Sequence, residues 1–387
     1  MRIIDTKEEL LQFLSGNEGV KVYGARYNLR LFLEALKVLG YSSDYVKEIL
    51  VSNMAGNPEY VDHIPVHVYR KENFKTGETF FLTLAEDYIS DVSKKLEEDG
   101  FHTIRMTERL LNCEIVTYDY IYTDVYHMMA DFTESFPDNC TGFNEPVYSG
   151  KKYAWSCWWQ GMEEAPDLIK ACSNSLKRYL PDEVELVIIT KDNYRDYVDF
   201  PQWIIDKVEN GSVTLTTFSD VIRASLLYKY GGIWLDSTIL LTEKLPIDFW
   251  DYDIFTIREF RYCLPFMGGR PGQKFYRFLM EGFFYYYKNY ESTKYYLLVT
   301  YLLDIAMNQY PDIREKYNKL PEKGWGISNI NNFDSLSYHM HEKYTPEVYH
   351  QYMEGIYFHK LQRRFDRFGE SINDTNNIYH YILARFL

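Results

Sequence analysis

The sequence is short of basic residues and of cysteine. Its 387 residues include 42 Lys and Arg against 56 Asp and Glu, which gives a formal net charge of −14. This balance argues against a protein that grips a nucleic-acid backbone or an anionic lipid surface over a broad face. The five cysteines are odd in number and lack the spacing of metal ligands, so they indicate a reducing compartment rather than a disulfide framework or a zinc site.

Long apolar runs are also missing. No stretch of about 18 residues is both apolar and uncharged, so no membrane span is predicted. The opening residues MRIIDTKEELLQFL are charged and amphipathic, and they lack the apolar core of a signal peptide. We therefore expect a cytoplasmic protein without a transmembrane segment.

Aromatic side chains, in contrast, are abundant, at 18% of the residues with 37 Tyr among them. Because 46% of all residues are hydrophobic, the chain has ample material for a sizeable core, and its length suggests two domains. The aromatic runs at residues 283–287 and 295–296 lack the basic face of a helix that lies on anionic lipid. We therefore expect these runs to pack against other helices.

Residues 218–242 predict a helix, a glycine turn and a strand that is followed by an acidic residue. Ser219 is expected to cap the helix at its amino end, and apolar residues then recur at helical spacing. Gly231 and Gly232 are expected to end the helix, because glycine alone adopts positive φ without strain. The apolar run 233–235 is typical of a strand that is covered on both sides.

Three charged residues of this stretch are candidates for a site. Asp236 interrupts a buried strand, where an uncompensated charge is costly, so it is either a site residue or a strand-end residue that caps a turn. Asp220 and Arg223 share one helix face, and as a surface pair they would contribute only about 0.2–0.5 kcal/mol. Their placement in one helix-to-strand connection that ends on Asp236 favours the functional interpretation.

The pattern SD-x-x-R-x-x-x-L-Y-x-x-GG-x-W-x-D-x-T at residues 219–238 resembles the core of glycosyltransferase family 32, in its bacterial capsular-polysaccharide-synthesis branch. The resemblance continues at residues 155–161, 165–166, 189–194 and 358–361, and it covers residues 149–387. It implies an α/β fold, with a GT-A nucleotide-sugar-binding domain built on a mixed, mainly parallel sheet.

The resemblance also implies a reaction. A retaining glycosyltransferase of this kind would move a hexose or N-acetylhexosamine from a nucleotide sugar, with a UDP-sugar favoured, to a glycan or lipid-linked oligosaccharide in capsular or surface polysaccharide synthesis. A divalent cation, Mn²⁺ or Mg²⁺, would neutralise the leaving diphosphate. The enzyme would associate only peripherally with membrane assembly enzymes, at the inner face of the plasma membrane.

By the same resemblance, Asp220 would bind hydroxyl groups of the donor sugar, and Arg223 would bind the sugar or the diphosphate. Asp236 would hold the ribose and the metal as the first acid of a D-x-D motif. Thr238 stands in the second acidic position and offers the metal a neutral oxygen rather than a charge. His359 would complete the metal or phosphate contacts, and a surface histidine is the alternative.

Trp158, Trp159 and Gln160 lie at the carboxyl end of a predicted strand, which is where ligands bind in open parallel sheets. The resemblance implies that this edge holds the nucleotide base, although one of the two tryptophans is expected only to pack in the core. The implied donor-binding set is completed by Ser219, Asp220, Arg223, Tyr230, Gly231 and Gly232.

Residues 1–112 alternate short strands and helices, which predicts a small parallel sheet in a Rossmann-like domain. The strand-glycine-helix opening at Gly24 lacks the second and third glycines of a dinucleotide fingerprint, because Arg26 and Leu29 stand there. The expected organisation is therefore a non-catalytic domain at 1–112, a connector at 113–148 and a GT-A domain at 149–387 with a helical C-terminal part.

Two other functions stay open. The chain could be a catalytically weak or inactive scaffold that binds nucleotide sugars in a polysaccharide assembly complex. It could also be a dinucleotide-dependent oxidoreductase that acts through residues 1–112, for which NAD binding is the test. If Asp236 is catalytic, Asp236→Asn is expected to abolish transfer and to leave the melting temperature nearly unchanged.

Overall fold

The computed structural model describes residues 1–107, 109–138, 141–259, 261–319, 336–353, 356–362 and 374–387. The β-strands in these ranges are β1 (Arg2–Ile4), β2 (Val20–Tyr23), β3 (Val46–Val51), β4 (Tyr60–Val61), β5 (Ile64–Val68), β6 (Thr79–Leu82), β7 (His102–Met106), β8 (Lys152–Cys157), β9 (Val184–Ile189), β10 (Gly232–Leu235), β11 (Ile239–Leu241), β12 (Phe255–Glu259), β13 (Arg261–Gly269) and β14 (Phe358–Lys360). The α-helices are α1 (Lys7–Ser15), α2 (Tyr27–Val38), α3 (Glu86–Glu98), α4 (Tyr118–Met128), α5 (Ala130–Ser135), α6 (Asp167–Tyr179), α7 (Gln202–Glu209), α8 (Leu215–Lys229), α9 (Lys274–Asn289), α10 (Leu298–Gln309), α11 (Pro311–Asn318), α12 (Leu336–His339), α13 (Pro346–Met353) and α14 (Ile378–Phe386).

The first compact unit comprises residues 1–131, 202–214 and 286–301. Its sheet has the strand order β1-β7-β6-β2-β3-β5-β4, and every pairing is parallel except that of β4 with β5. Helices α2 and α3 follow β2 and β6 and lead to their sheet neighbours β3 and β7, because parallel neighbours need a crossover connection. Helix α1 joins β1 to β2, which are not neighbours in the sheet. This arrangement is Rossmann-like.

The turn after β2 departs from a dinucleotide-binding turn in its contacts as well as in its sequence. Gly24 has a φ of +119°, and a Cβ there would lie 2.9 Å from the carbonyl oxygen of Thr83. Nη2 of Arg26 donates to the carbonyl oxygen of Gly56 at 2.8 Å. The guanidinium group therefore binds the protein's own loop after β3.

The second compact unit comprises residues 132–201, 215–285 and 302–387. Its main sheet has the order β12-β13-β10-β8-β9, in which β8 pairs in parallel with β9 and β10, while β13 is antiparallel to β10 and β12. A second, two-stranded sheet joins β11 to β14 in antiparallel fashion. A mixed sheet flanked by helices is the α/β arrangement of a GT-A-like fold.

The aromatic runs are part of the core. Phe283, Tyr286 and Tyr287 are fully buried, as is Tyr295, whereas Tyr296 is half exposed. Large aromatic side chains contribute heavily to core energetics when they are removed from water. Within the described ranges, no helix is long and apolar enough to cross a bilayer.

Helix α8 begins one turn before the residue that was predicted to cap it. Thr217 and Phe218 are buried, so the buried face of the helix extends upstream of Ser219. The hydroxyl of Ser219 donates to the carbonyl oxygen of Thr216 at 2.6 Å. The prediction that Ser219 caps this helix is therefore wrong.

The predicted glycine stop is confirmed. Helix α8 ends at Lys229, and Gly231 and Gly232 adopt φ values of +66° and +92°. Nε1 of Trp155 donates to the carbonyl oxygen of Gly231 at 2.8 Å. This contact ties the turn to the neighbouring strand β8.

Replacement of Gly232 by alanine is expected to lower the free energy of unfolding by about 2–4 kcal/mol, from a disfavoured positive φ and from overpacking. A Cβ at this position would lie 2.4 Å from the carbonyl oxygen of Tyr153. The matched control is Gly211→Ala, since Gly211 has a φ of +83° but a Cβ there would meet no described atom within 4 Å. Urea unfolding of both variants measures the difference, and equal losses would contradict the steric argument.

Candidate functional site

A cluster of charged side chains lies at the carboxyl ends of the parallel strands β8 and β10. Asp236 directly follows β10, and its backbone N–H donates to the carbonyl oxygen of Pro265 at 2.9 Å. Trp234 and Asp236 are two residues apart, so they point to the same face of the sheet, while Ile233 and Leu235 belong to an apolar cluster on the other face. Ligands bind at this edge in open α/β sheets.

Arg223 on α8 connects the two acidic residues of the cluster. Its Nη2 lies 3.1 Å from Oδ1 of Asp220 and 3.1 Å from Oδ1 of Asp236. Its Nη1 donates to the carbonyl oxygen of Leu264 at 2.9 Å, and the guanidinium carbon lies 5.0 Å from the centroid of the Trp234 ring. The side chain of Arg223 is only 6% exposed, so it acts chiefly as an internal counter-charge that holds both acids.

Asp236 is bound through both of its carboxylate oxygens. Oδ1 accepts hydrogen bonds from Arg223 and from Nε1 of Trp234, the latter at 2.7 Å. Oδ2 accepts from Nζ of Lys360 at 2.7 Å. The pairing of β11 with β14 places this lysine beside Asp236, because Ile239 on β11 is the register partner of Lys360 on β14. The next residue, Leu361, donates its backbone N–H to the carbonyl oxygen of Thr238.

The two carboxyl groups differ in their acidity. Burial of Asp236 raises its pKa, but the charges of Lys360 and Arg223 and the hydrogen bonds from Lys360 and Trp234 outweigh burial and hold it at about 2. Burial raises the pKa of Asp220 to about 6, since the lowering effect of Arg223 is smaller and the charge of Asp236 adds to the increase. Asp236 is therefore ionised at neutral pH. Asp220, in contrast, gains or loses its proton at a pH only slightly below neutral.

Cys157 lies beside these acids at the end of β8. Trp155 pairs with Trp234 across the two parallel strands, so the residues two positions further along, Cys157 and Asp236, are neighbours. Burial, together with the charge of Asp236, raises the pKa of the Cys157 thiol to about 12, against a lowering effect of Arg223. The thiol stays protonated at neutral pH and is therefore a poor nucleophile.

The residues predicted to hold a divalent cation do not come together. His359 is buried, and burial lowers its pKa to about 3. It follows Phe358 and precedes Lys360 on β14, and successive side chains of a strand point to opposite faces. The imidazole therefore points away from the face on which Lys360 reaches Asp236.

The set around Asp236 does not fit a divalent cation. Both oxygens of Asp236 already accept hydrogen bonds from cationic side chains, and Thr238 supplies no second negative charge. In the part of the chain that the structure describes, no group of three or more His, Cys, Asp and Glu side chains is placed to hold a metal ion. Hard divalent cations bind where several oxygen ligands, usually with carboxylates among them, converge.

Three of the residues predicted to contact the base lie in the turn after β8. Trp159 packs its ring against Tyr194 and Phe218, with centroids 5.3 and 5.4 Å apart. Trp158 is partly exposed, and Gln160 is exposed. Trp159 therefore contributes to packing although it is partly exposed like Trp158, and Gln160 is the exposed residue of this turn.

Three of the remaining predicted donor-binding residues lie at the opposite end of β10 from the charged cluster. Tyr230, Gly231 and Gly232 stand at the amino end of β10, whereas Asp236 follows its carboxyl end. The ring of Tyr230 lies 5.8 Å from that of Tyr153. These residues shape the strand that carries Asp236, and the hydroxyl of Ser219 is used within α8.

The family model for capsular polysaccharide synthesis proteins matches residues 118–382, which is more than half of the chain. The matched range includes the whole charged cluster, from Cys157 through α8 to Lys360. A comparison with curated proteins finds no match.

Proposed function

Because the chain belongs to the capsular polysaccharide synthesis protein family, we propose that it is a glycosyltransferase. It transfers a hexose or N-acetylhexosamine, with retention of anomeric configuration, from a nucleotide sugar to a glycan or lipid-linked acceptor of capsular or surface polysaccharide synthesis. A UDP-sugar is the favoured donor. The observation that carries this proposal is the cluster of Asp220, Arg223, Asp236 and Lys360 at the carboxyl edge of the parallel strands.

This cluster combines the groups that a nucleotide sugar needs. Carboxylates accept hydrogen bonds from sugar hydroxyl groups, and a cation is required against the diphosphate. Asp220 and Asp236 are 15% and 23% exposed in their side chains, so a ligand can approach both carboxyl groups. Asp220 would bind the sugar and Asp236 the ribose, while Arg223 is a positioning residue that fixes both.

The proposed chemical step needs no covalent intermediate with the protein. The acceptor hydroxyl attacks the anomeric carbon on the face from which the phosphate departs, the bond between that carbon and the phosphate oxygen breaks, and the nucleoside diphosphate leaves with the bonding electron pair. A phosphate oxygen takes the proton of the acceptor hydroxyl. The protein contributes orientation and electrostatic stabilisation of the charge that develops on the diphosphate.

A thermal-shift screen against UDP-, GDP-, CMP- and dTDP-sugars tests the binding half of the proposal. A donor present at a hundred times its dissociation constant is expected to stabilise the protein by about 2.7 kcal/mol. The stabilisation should be lost in Asp236→Asn and kept in Asp182→Asn, since Asp182 pairs with Lys244 at a side-chain exposure of 93%. Absence of any shift with all four classes would contradict the proposal.

Release of the nucleoside diphosphate in the presence of acceptor tests the catalytic half. The alternative is a scaffold that binds nucleotide sugars through the same four charged residues without turnover. Donor binding without measurable release over a range of glycan acceptors would favour that alternative over a transferase.

A further inference from the structure

We propose that Lys360 supplies the positive charge that binds the donor diphosphate, in the place where a divalent cation would otherwise be held. The inference rests on the proposed function, because it assumes that the cluster binds a nucleoside diphosphate. It assigns diphosphate binding to a residue that lies far along the chain from the D-x-T segment at 236–238. Donor binding would then be independent of metal.

The position of Lys360 fits a charge that a ligand can reach. Its Nζ lies 2.7 Å from Oδ2 of Asp236, and the side chains of Lys360 and Asp236 are 29% and 23% exposed. Arg223, the other cation of the cluster, is 6% exposed and already bound to three protein oxygens. Lys360 is therefore the cation of this cluster that can meet a phosphate oxygen.

The charge balance of the cluster supports the same assignment. A divalent cation held by two carboxylates is electrically neutral, and Asp236 paired with Lys360 is neutral as well. A metal ion within about 2.0–2.6 Å of the Asp236 oxygens would face the ammonium group that already binds Oδ2. With threonine rather than a second acid at position 238, Lys360 is thus enough to neutralise Asp236.

Thr238 lies beside Lys360 and carries a buried hydroxyl that the described residues leave unpaired. Thr238 as a whole is 8% exposed, and its Oγ1 has no hydrogen-bond partner among the described residues. Its carbonyl oxygen accepts from the N–H of Leu361, which fixes the residue beside Lys360. A buried hydroxyl without a partner costs free energy, but this oxygen is closed to solvent, so a phosphate oxygen could accept from it only after neighbouring side chains move.

Calorimetric titration with UDP, GDP, CDP and dTDP, in EDTA and in Mn²⁺, tests the proposal on the full-length protein. We expect at least one nucleoside diphosphate to bind in EDTA, with a dissociation constant that Mn²⁺ changes by no more than about twofold. Lys360→Met is expected to weaken this binding by about 10- to 100-fold, the range for a hydrogen bond to a charged group. Lys360→Arg keeps the charge and should retain most of the affinity.

Lys244→Met is the matched control, because Lys244 pairs with Asp182 at 3.2 Å on the exposed surface and its loss should leave binding unchanged. Binding that needs Mn²⁺ in the wild type, or wild-type affinity in Lys360→Met, would overturn the inference and leave the proposed function intact. Absence of binding by all four nucleotides in both buffers would overturn both. If Lys360→Met fails to fold, the wild-type comparison between EDTA and Mn²⁺ decides.

Discussion

Asp236→Asn is expected to lower kcat/KM for glycosyl transfer by about 10²–10³-fold, the typical effect of removing one electrostatic contact from a transition state. The carboxylate is ionised at neutral pH, because Lys360 and Arg223 outweigh the effect of burial and hold its pKa at about 2. The amide would keep one acceptor oxygen but lose the charge that positions Lys360. Steady-state kinetics with the donor found in the thermal-shift screen measures the change.

The contacts of Asp236 change the expected effect of Asp236→Asn on the free energy of unfolding. Sequence alone suggested an unchanged melting temperature, but the side chain balances two cations at distances of 2.7 and 3.1 Å. Since Asp236 is partly exposed, we expect Asp236→Asn to lose about 1–3 kcal/mol, between the values for surface and buried pairs. Asp182→Asn serves as the control with no change in either quantity. Wild-type kcat/KM in a folded Asp236→Asn would remove Asp236 from the site.

The part of the site that could be predicted is the part encoded locally. The glycine stop follows from a conformational demand that only Gly231 and Gly232 meet, and the strand and its terminal acid follow from an apolar run ending on Asp236. Asp220 and Arg223 were expected on one helix face, and the structure joins them at 3.1 Å. In each case the signal lies within one or two turns of the chain.

The part that could not be predicted depends on contacts between distant segments. Lys360 is 124 residues from Asp236 in sequence, and it arrives through the pairing of two three-residue strands, β11 and β14. Strands of this length carry almost no periodicity. The available signal was a lysine between the apolar residues Phe358 and Leu361, since a partly buried charge requires a partner, but the resemblance directed attention to its neighbour His359.

The start of α8 was misplaced for a similar reason. Ser219 is a favourable capping residue, but Thr217 and Phe218 gain more from burial than the helix would gain from that cap. Local propensity is a weak prior where tertiary packing competes with it. The position of Cys157 likewise carried no local signal, because only the register of β8 against β10 places it beside Asp236.

Arg223→Met is expected to produce the largest loss of stability in the cluster, about 3–5 kcal/mol, because it leaves two largely buried carboxylates without their shared counter-charge. Methionine keeps much of the aliphatic volume, so packing against Trp234 is largely retained. Urea unfolding at neutral pH measures the loss. Arg270→Met is the matched control, since Arg270 is 57% exposed and 3.7 Å from Asp253, and it should change stability by less than about 1 kcal/mol.

The size of this loss should depend on pH, and the sign follows from the two acids. Asp220 has a folded pKa of about 6, above its ordinary value of 3.8, so folding becomes less favourable as the pH rises through that window. Asp236 has a folded pKa of about 2, below its ordinary value of 3.8. It therefore stabilises the wild type at pH values above 3.8, and this contribution is lost as the pH falls toward 2. Removal of Arg223 raises both folded pKa values, so the variant loses more stability than the wild type as carboxylates ionise. The difference in free energy of unfolding between the wild type and Arg223→Met should therefore shrink as the pH falls from about 8 to about 4. A difference independent of pH would show that Arg223 stabilises the protein through packing on Trp234 rather than through its charge.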